Sequence, residues 1–181
     1  MAFLAKGKIF AAAVMAVLAL ATGAQAAGSC GKNSAGFDAW KQDFAAQAQA
    51  EGVGSRGLAA LAGATYATRT ISADRAIHKA FSGSVEDFMK RPGVLLAIWG
   101  METGFGASMG NQNTVSAILT LTYDCRRPDY FYPHAIAALK LVDRGTLTSA
   151  SVGAMHGEIG HTQFLPGNVL KYGVGNGNLR D

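Results

Sequence analysis

The 181-residue sequence predicts an all-α protein made of short helices. Apolar residues recur at the three- and four-residue spacing of helix faces in several successive segments. No segment keeps the two-residue alternation that is typical of a half-buried strand. Because there is no internal repeat, low-complexity tract or obvious linker, we expect residues 28–181 to form one domain with a core of its own.

The predicted helices before residue 93 end at glycines. The first has a cap expected at Ser34 and is expected to end at Gly52 and Gly54. Acidic residues after Ser84 resemble a further helix start. The first of these helices has Phe37, Trp40, Phe44 and Ala48 on one face. The second is predicted over residues 55–62 and the third over residues 74–81.

A central helix, opened by Pro92, is followed by two more. The next has Val115, Ile118, Leu119 and Thr122 on one side, with a cap at Asn113 or Thr114. The one after it begins at Pro128 and ends at Gly145. Residues from 146 onward are glycine-rich and predict loops, with one short helix near 168–172.

Residues 1–27 have the pattern of a secretory signal peptide. Lys6 and Lys8 precede an apolar run from Ile9 to Ala21, and Ala24-Gln25-Ala26 is a small-residue cleavage site. The run is too short to predict a membrane span. We therefore expect an exported, periplasmic protein. A lipoprotein tether through Cys30 is less favoured, because no large aliphatic residue stands three positions before it.

The number of cysteines and the net charge limit the compartment in which the protein works and the kind of molecule that it binds. Cys30 and Cys125 predict a single disulfide in an oxidising compartment, since metal sites usually show closely spaced pairs. The formal charge of +4 falls to about +2 without Lys6 and Lys8, so nucleic-acid binding is not indicated. A mildly basic exported protein is compatible with an anionic cell-wall glycan. The four histidines show no ligand spacing, and we expect no metal and no other cofactor.

The apolar run from Val94 to Trp99 ends close to one carboxylate, Glu102. Apolar side chains cover every side of this helix, which predicts a buried helix. Burial raises the pKa of a carboxyl group, and a carboxyl that keeps its proton near neutral pH can act as a general acid. The alternative is that Glu102 only caps the helix or forms a salt bridge.

Two other stretches combine polar groups with features of a binding site. Tyr123–Arg127 places one acid beside two arginines, which either pair with that acid or meet substrate carboxylates. In Gly157–Pro166, glycines allow a ligand to approach the backbone, and the amide of Gln163 offers both a donor and an acceptor. Phe164 and Tyr172 offer flat apolar faces to sugar rings. The alternative is a loop with a structural role only.

Four blocks of the sequence together resemble the membrane-bound lytic murein transglycosylase B family: Ile98–Gly106, Met109–Asn111, Tyr123–Arg127 and Gly157–Pro166. The resemblance implies a lysozyme-like helical domain with a glycan-binding cleft. It further implies cleavage of the β-1,4 bond between N-acetylmuramic acid and N-acetylglucosamine in peptidoglycan. The implied catalyst is Glu102, through the W-G-x-E-T pattern. The implied glycan-binding residue is Gln163, through the G-x-x-Q-F-x-P pattern. The further expected substrate contacts are Phe164, Tyr172, Tyr123, Met109 and Glu158.

The resemblance also implies a mechanism with a single acid. Glu102 would protonate the glycosidic oxygen and then accept the proton of the muramoyl C6 hydroxyl, which closes a 1,6-anhydro ring without adding water. Ordinary glycosidases use two carboxyl groups instead. Glu158 is the one candidate for a helper acid, although we favour a hydrogen-bonding role in its loop.

The family pattern is longer than this sequence, so we expect a domain that is shortened internally and at the C-terminus. Gly173–Asp181 has too few oxygen ligands in an EF-hand pattern to predict calcium binding. Two competing hypotheses are a degenerate protein that binds peptidoglycan without cutting it and a scaffold of the cell-wall machinery. The expected partners are glycan strands and cell-wall synthesis or remodelling proteins. The expected state is a monomer.

Overall fold

The computed structural model describes residues 30–76 and 93–173, which form helices joined by short loops. A 3₁₀ turn at Ser34–Gly36 precedes the first helix, and two strands, β1 at Gln112–Asn113 and β2 at Val152–Gly153, pair antiparallel. The prediction of a mainly helical fold is confirmed. The helices are α1 Phe37–Ala50, α2 Ser55–Gly63, α3 Thr68–Ala76, α4 Val94–Thr103, α5 Thr114–Tyr123, α6 Pro128–Asp143 and α7 Pro166–Tyr172.

Two of the predicted helix starts are wrong. Asn33, and not Ser34, caps the opening turn by accepting a hydrogen bond from the backbone N–H of Ala35 at 3.0 Å. Helix α3 begins at Thr68, before the predicted start at Asp74, because Asp74 is a buried ion-pair residue near its end. The rest of the predicted 74–81 helix, the start after Ser84 and the proline at 92 lie outside the described residues.

Helix α5 lies at the centre of the described fold, and all ten of its residues are buried. The hydroxyl groups of Ser116, Thr120 and Thr122 are hydrogen-bonded there. The hydroxyl of Thr114 has no partner among the described residues. The hydroxyl of Thr120 donates to the carbonyl of Ser116 at 2.6 Å and accepts from the backbone N–H of Ala67 at 2.9 Å. Asn113 caps the helix by accepting from the N–H of Ser116 at 2.8 Å. The largest fully buried side chains of the core are Phe44, Leu61, Ile118, Leu119, Leu121, Leu139 and Leu147.

Ion pairs and a disulfide fasten the first residues and α3 to the segment after α5. Cys30 and Cys125 form a disulfide with their Cα atoms 4.9 Å apart. Asp74, whose side chain is 2% exposed, binds the guanidinium groups of both Arg126 and Arg127. Asp124 is also buried and pairs with Arg75 at 3.1 Å. The arginines of this block therefore pair with Asp74 and not, as the sequence suggested, with Asp124, whose partner is Arg75.

The prediction that the helix over 94–101 is buried on every side is wrong. Leu96 and Met101 of α4 are 60% and 59% exposed, and among residues 96–103 only Thr103 is buried. An all-apolar helix has no amphipathic pattern that tells which face is covered or by what. In this fold the central position is taken by α5. No helix in the described ranges is both long and apolar enough to cross a bilayer.

Candidate active site

The candidate general acid, Glu102, lies in the last turn of α4. The helix ends at Thr103, and Gly104 follows it with the positive φ of 57° that is common at helix C-termini. The side chain of Glu102 is exposed, so the expectation of a half-buried acid is wrong for this structure. The apolar side chains expected to cover it, Met101 and Phe105, are exposed as well. The carboxyl group is thus open to an approaching ligand.

One residue of a later loop, His161, holds the end of α4. The indole N–H of Trp99 donates to Nδ1 of His161 at 2.9 Å. The hydroxyl of Thr103 donates to the backbone carbonyl of His161 at 3.0 Å. Trp99 and Thr103 are four residues apart and therefore lie on one face of the helix. Glu102 stands between them in sequence, so these two contacts attach its turn to the loop.

The turn after α4 folds back against the same histidine. Phe105 has a φ of 62°, and its ring packs edge-on against Trp99 with centroids 5.3 Å apart. Gly106 has a φ of 93°, and its N–H donates to the hydroxyl of Thr103 at 3.0 Å. A Cβ atom at position 106 would lie 2.2 Å from Cε1 of His161, so only glycine fits there.

Residues 157–165 form a loop that we call the glutamine loop, because it carries Gln163. Backbone hydrogen bonds between Ile159 and Phe164, at 2.9 and 3.3 Å, close its ends. Gln163 has a φ of 53°, and its side-chain amide donates to the carbonyl of Gly160 at 2.8 Å. Gln163 and Phe105 are the non-glycine residues with positive φ in the described ranges. Such backbone strain concentrates at functional sites, and here both residues flank the contact between α4 and the glutamine loop.

A cavity of about 360 Å³ adjoins the glutamine loop on the side of the two-stranded ribbon. Met109, a predicted substrate contact, is half-buried in its wall. The ribbon itself pairs Gln112 with Gly153 and Asn113 with Val152. The cavity is lined by Met109, Gly110, Leu147, Thr148, Ala150, Ser151, Val152, Ile159 and Gly160.

Glu158 is held within its own loop. Its carboxylate accepts from the backbone N–H of His156 at 3.1 Å, and Nδ1 of His156 lies 3.4 Å from the other oxygen. Burial alone would raise the pKa of Glu158, but the hydrogen bonds from His156 and the charge interaction with it outweigh burial and lower the pKa below its usual range. An ionised carboxylate is a poor proton donor. This favours the hydrogen-bonding role for Glu158 over that of helper acid.

The other predicted binding residues divide into exposed and buried ones. Phe164 and Tyr172 are 53% and 65% exposed, so their rings are available to a ligand. Tyr123 is 3% exposed and packs against Phe37 and Trp40, so its prediction as a substrate contact is corrected to a core role. The physical reason is that the end of α5 lies in the core, where the ring fills the space beside Gly31 and Gly36.

Sequence reasoning missed the contact between Trp99 and His161. The two residues are 62 positions apart, and no periodicity or motif spacing pairs them. Within residues 30–76 and 93–173, no group of three or more His, Cys, Asp or Glu side chains is placed to bind a metal ion.

Comparisons with known proteins find solved structures with a similar fold. The structure of SltB3 from Pseudomonas aeruginosa in complex with NAG-anhNAM-pentapeptide superposes with a TM-score of 0.66 and 26% identity, over 82% of this chain and 48% of that chain. SltB1 from Pseudomonas aeruginosa, described as a soluble lytic transglycosylase, gives a TM-score of 0.61 at 18% identity, over 75% of this chain and 57% of that one. A 36 kDa muramidase/transglycosylase gives 0.60 at 21%, over 78% and 58%.

The chain thus has the lysozyme-like helical fold of lytic transglycosylases. It spans about half the length of the solved structures that it matches. The comparison with curated proteins finds no match. The family model of the transglycosylase SLT domain matches residues 88–180, about half of the sequence, and includes α4 and the glutamine loop. The chain therefore belongs to the transglycosylase SLT domain family.

Proposed function

We propose that this chain is a peptidoglycan lytic transglycosylase in which Glu102 is the catalytic acid and base. The observation that carries the proposal is the attachment of the last turn of α4 to the glutamine loop through His161. That attachment places the helix turn that carries Glu102 in contact with the loop that carries Gln163, which supports a shared site. The 26%-identical SltB3, solved with NAG-anhNAM-pentapeptide, supports a glycan substrate with an anhydromuramoyl product.

The proposed reaction uses Glu102 twice. Its carboxylic acid donates a proton to the glycosidic oxygen as the bond from that oxygen to C1 of N-acetylmuramic acid breaks. The resulting carboxylate then accepts the proton of the muramoyl C6 hydroxyl, whose oxygen bonds to C1 and closes the 1,6-anhydro ring. No water is consumed, and the acid is regenerated. The substrate's own acetamido group steadies the oxocarbenium-like centre.

The exposed aromatic rings provide surfaces for the sugars. Phe164 and Tyr172 lie on the glutamine loop and the helix after it, and a sugar ring packs well on such flat apolar faces. Met109, in the cavity wall, extends the proposed contact surface on the ribbon side. Gln163 is the proposed hydrogen-bonding residue, and a bound acetamido group or hydroxyl would compete with Gly160 for its amide.

The decisive experiment compares Glu102→Gln with the unchanged protein on purified sacculi. We expect the variant to lose at least about 100-fold in turbidity clearance, a typical loss when a general acid is removed. Glu51→Gln is the matched control, because Glu51 is exposed and follows α1. Mass spectrometry of the products should show 1,6-anhydromuramoyl ends. Reducing muramic acid ends would identify a hydrolase, and a Glu102→Gln protein that clears sacculi at the normal rate would remove the assignment.

A second candidate function is peptidoglycan binding without cleavage. Two observations favour it: Glu102 is exposed to solvent, and the amide of Gln163 is bound to its own loop. A pure binder would co-sediment with sacculi, leave their turbidity unchanged, and bind equally well as the Glu102→Gln variant. Co-sedimentation and turbidity clearance therefore distinguish the binder from the enzyme. A scaffold of the cell-wall machinery would neither co-sediment with sacculi nor clear them.

We also propose that the protein acts in the periplasm after removal of the signal peptide expected over residues 1–27. The basic and apolar pattern of residues 1–27 supports this. Intact-mass measurement of the protein from a periplasmic extract tests it, because a lipid on Cys30 would add mass and a retained leader would lengthen the chain.

A further inference from the structure

We propose that His161 is the positioning residue for Glu102. It fixes the axial position and the rotation of the last turn of α4 relative to the glutamine loop. This inference rests on the proposed transglycosylase function and adds to it a residue that does not touch the reacting atoms. Three independent contacts carry it: one from the imidazole to Trp99, one from the backbone carbonyl to Thr103, and one from the ring to Gly106.

The two hydrogen bonds together restrict the helix more than either would alone. Trp99 and Thr103 are one turn apart, so a single contact would leave the helix free to pivot, whereas two contacts on one face fix both its rotation and its axial position. Glu102 lies one residue before Thr103 and three after Trp99, next to the fixed face. A displacement of about 1 Å at a reacting group can cost about 100-fold in rate.

The contact depends on a specific chemical form of the imidazole. To accept the indole proton at 2.9 Å, Nδ1 of His161 must carry a free lone pair, so the ring is neutral with its proton on Nε2. The ring is also trapped between Trp99, with centroids 5.6 Å apart, and the backbone of Gly106. The side-chain oxygen of asparagine stands close to the place of Nδ1, so asparagine can supply the same acceptor on a smaller side chain.

The remainder of α4 shows why one residue has this role. Leu96 and Met101 are exposed, and among residues 96–103, for which burial is described, Thr103 is the one buried residue. Little apolar packing therefore holds the end of α4. Its position depends largely on the polar contacts with His161.

The test measures kcat and KM for soluble glycan fragments with His161→Ala, His161→Asn and Thr162→Ala. We expect His161→Ala to lower kcat about 10- to 100-fold with KM changed less than about 3-fold, because the acid is misplaced while the sugar contacts remain. His161→Asn should recover most of the lost kcat. Thr162→Ala, an exposed neighbour in the same loop, should keep the unchanged rate.

A spectroscopic readout follows the hydrogen bond directly. The protein has two tryptophans, so the indole N–H of Trp40, in the core, serves as an internal reference for that of Trp99 in a ¹H–¹⁵N spectrum. We expect the Trp99 signal to shift upfield in His161→Ala and to return toward its original position in His161→Asn, with Trp40 unmoved. Trp99→Phe combined with His161→Ala should be no slower than the worse single variant.

The inference is overturned if His161→Ala keeps full kcat, or if a folded His161→Asn is as slow as His161→Ala. Failure of the proposed function looks different, because then either the unchanged protein would not cut the fragments or Glu102→Gln would be as active as the unchanged protein. The Trp99 signal reports the contact in either case.

Discussion

The carboxylate of Glu158 accepts a hydrogen bond from the backbone N–H of His156 at 3.1 Å, and its second oxygen lies 3.4 Å from Nδ1 of the same side chain. These contacts outweigh burial and lower the pKa of Glu158 below that of an ordinary glutamate. The pair stands at the entrance of the glutamine loop, so its charge state bears on the stability of the loop and not on proton donation to the substrate.

The Glu158 contact predicts a loss of stability in acid. Because the folded state holds the lower pKa, the unfolded chain takes up this proton first as the pH falls, and the stabilisation present at neutral pH disappears through the folded-state pKa. Between about pH 5 and pH 3 the free energy of unfolding should therefore fall more steeply for the unchanged protein than for Glu158→Gln. Urea denaturation across this range measures the difference. Parallel curves would contradict the assignment.

His134 predicts a pH dependence in a higher range. Burial lowers the pKa of His134, and its Nδ1 accepts from the backbone N–H of Gly167 at 3.1 Å, a contact that requires the neutral ring. The unfolded state therefore binds the proton first, and stability should decline as the pH falls from about 7 toward 5. His134→Asn keeps an acceptor but does not titrate, so its stability should change less over this interval. Thermal unfolding at several pH values checks this.

Asp74 predicts a large structural cost that has no catalytic origin. Its buried carboxylate binds both Arg126 and Arg127, and Asp74→Ala leaves these cations without their partner. We expect a loss of about 2–4 kcal/mol in the free energy of unfolding. Asp38→Ala is the control, because Asp38 is 88% exposed and its pair with Lys41 should contribute less than about 1 kcal/mol. Equal effects of the two variants would show that the buried cluster is not stabilising.

Gly104 and Gly106 form a matched pair for testing the contact with His161. Both have positive φ, so alanine strains the backbone at either position by about 1 kcal/mol. At 104 the nearest atom to a new Cβ is 3.9 Å away, whereas at 106 it is Cε1 of His161 at 2.2 Å. Gly106→Ala should therefore lose clearance of sacculi and displace the Trp99 indole signal, and Gly104→Ala should do so much less. Similar losses would mean that strain alone matters.

The disulfide predicts a stability that depends on redox conditions. Cys30 and Cys125 close a loop with a sequence separation of 95, for which the lost chain entropy of the unfolded state corresponds to about 3–5 kcal/mol. The Cys30→Ser/Cys125→Ser protein should unfold at lower urea and should not respond to reductant. The unchanged protein should fall to the same midpoint once it is reduced.

Most helices were predictable because the information for them is local. The face of Phe37, Trp40, Phe44 and Ala48 reports a helix through spacing alone, and α1 is observed there. Asn113 and Pro128 mark the starts of α5 and α6 as expected, since capping and proline effects act within one turn. Starts that depend on distant partners were missed, as at Asp74, whose arginine partners lie about fifty residues later.

The candidate site divides in the same way. Glu102 and Gln163 were singled out from their residue types and neighbours, and their roles remain predictions. The two-residue strands were not expected, because a ladder this short leaves no alternation to detect. Tyr123, expected at the substrate, lies in the core because the end of α5 is buried on every side.

The sequence by itself determined that the chain is helical, where most helices begin and end, and which acid and amide to examine, because periodicity, caps and residue chemistry act over a few neighbouring positions. Only the tertiary structure decided that α5 and not α4 is the central helix, since burial depends on which surfaces meet. It also decided that His161 accepts hydrogen bonds from Trp99 and Thr103. These bonds join segments about sixty residues apart, and no local pattern encodes them.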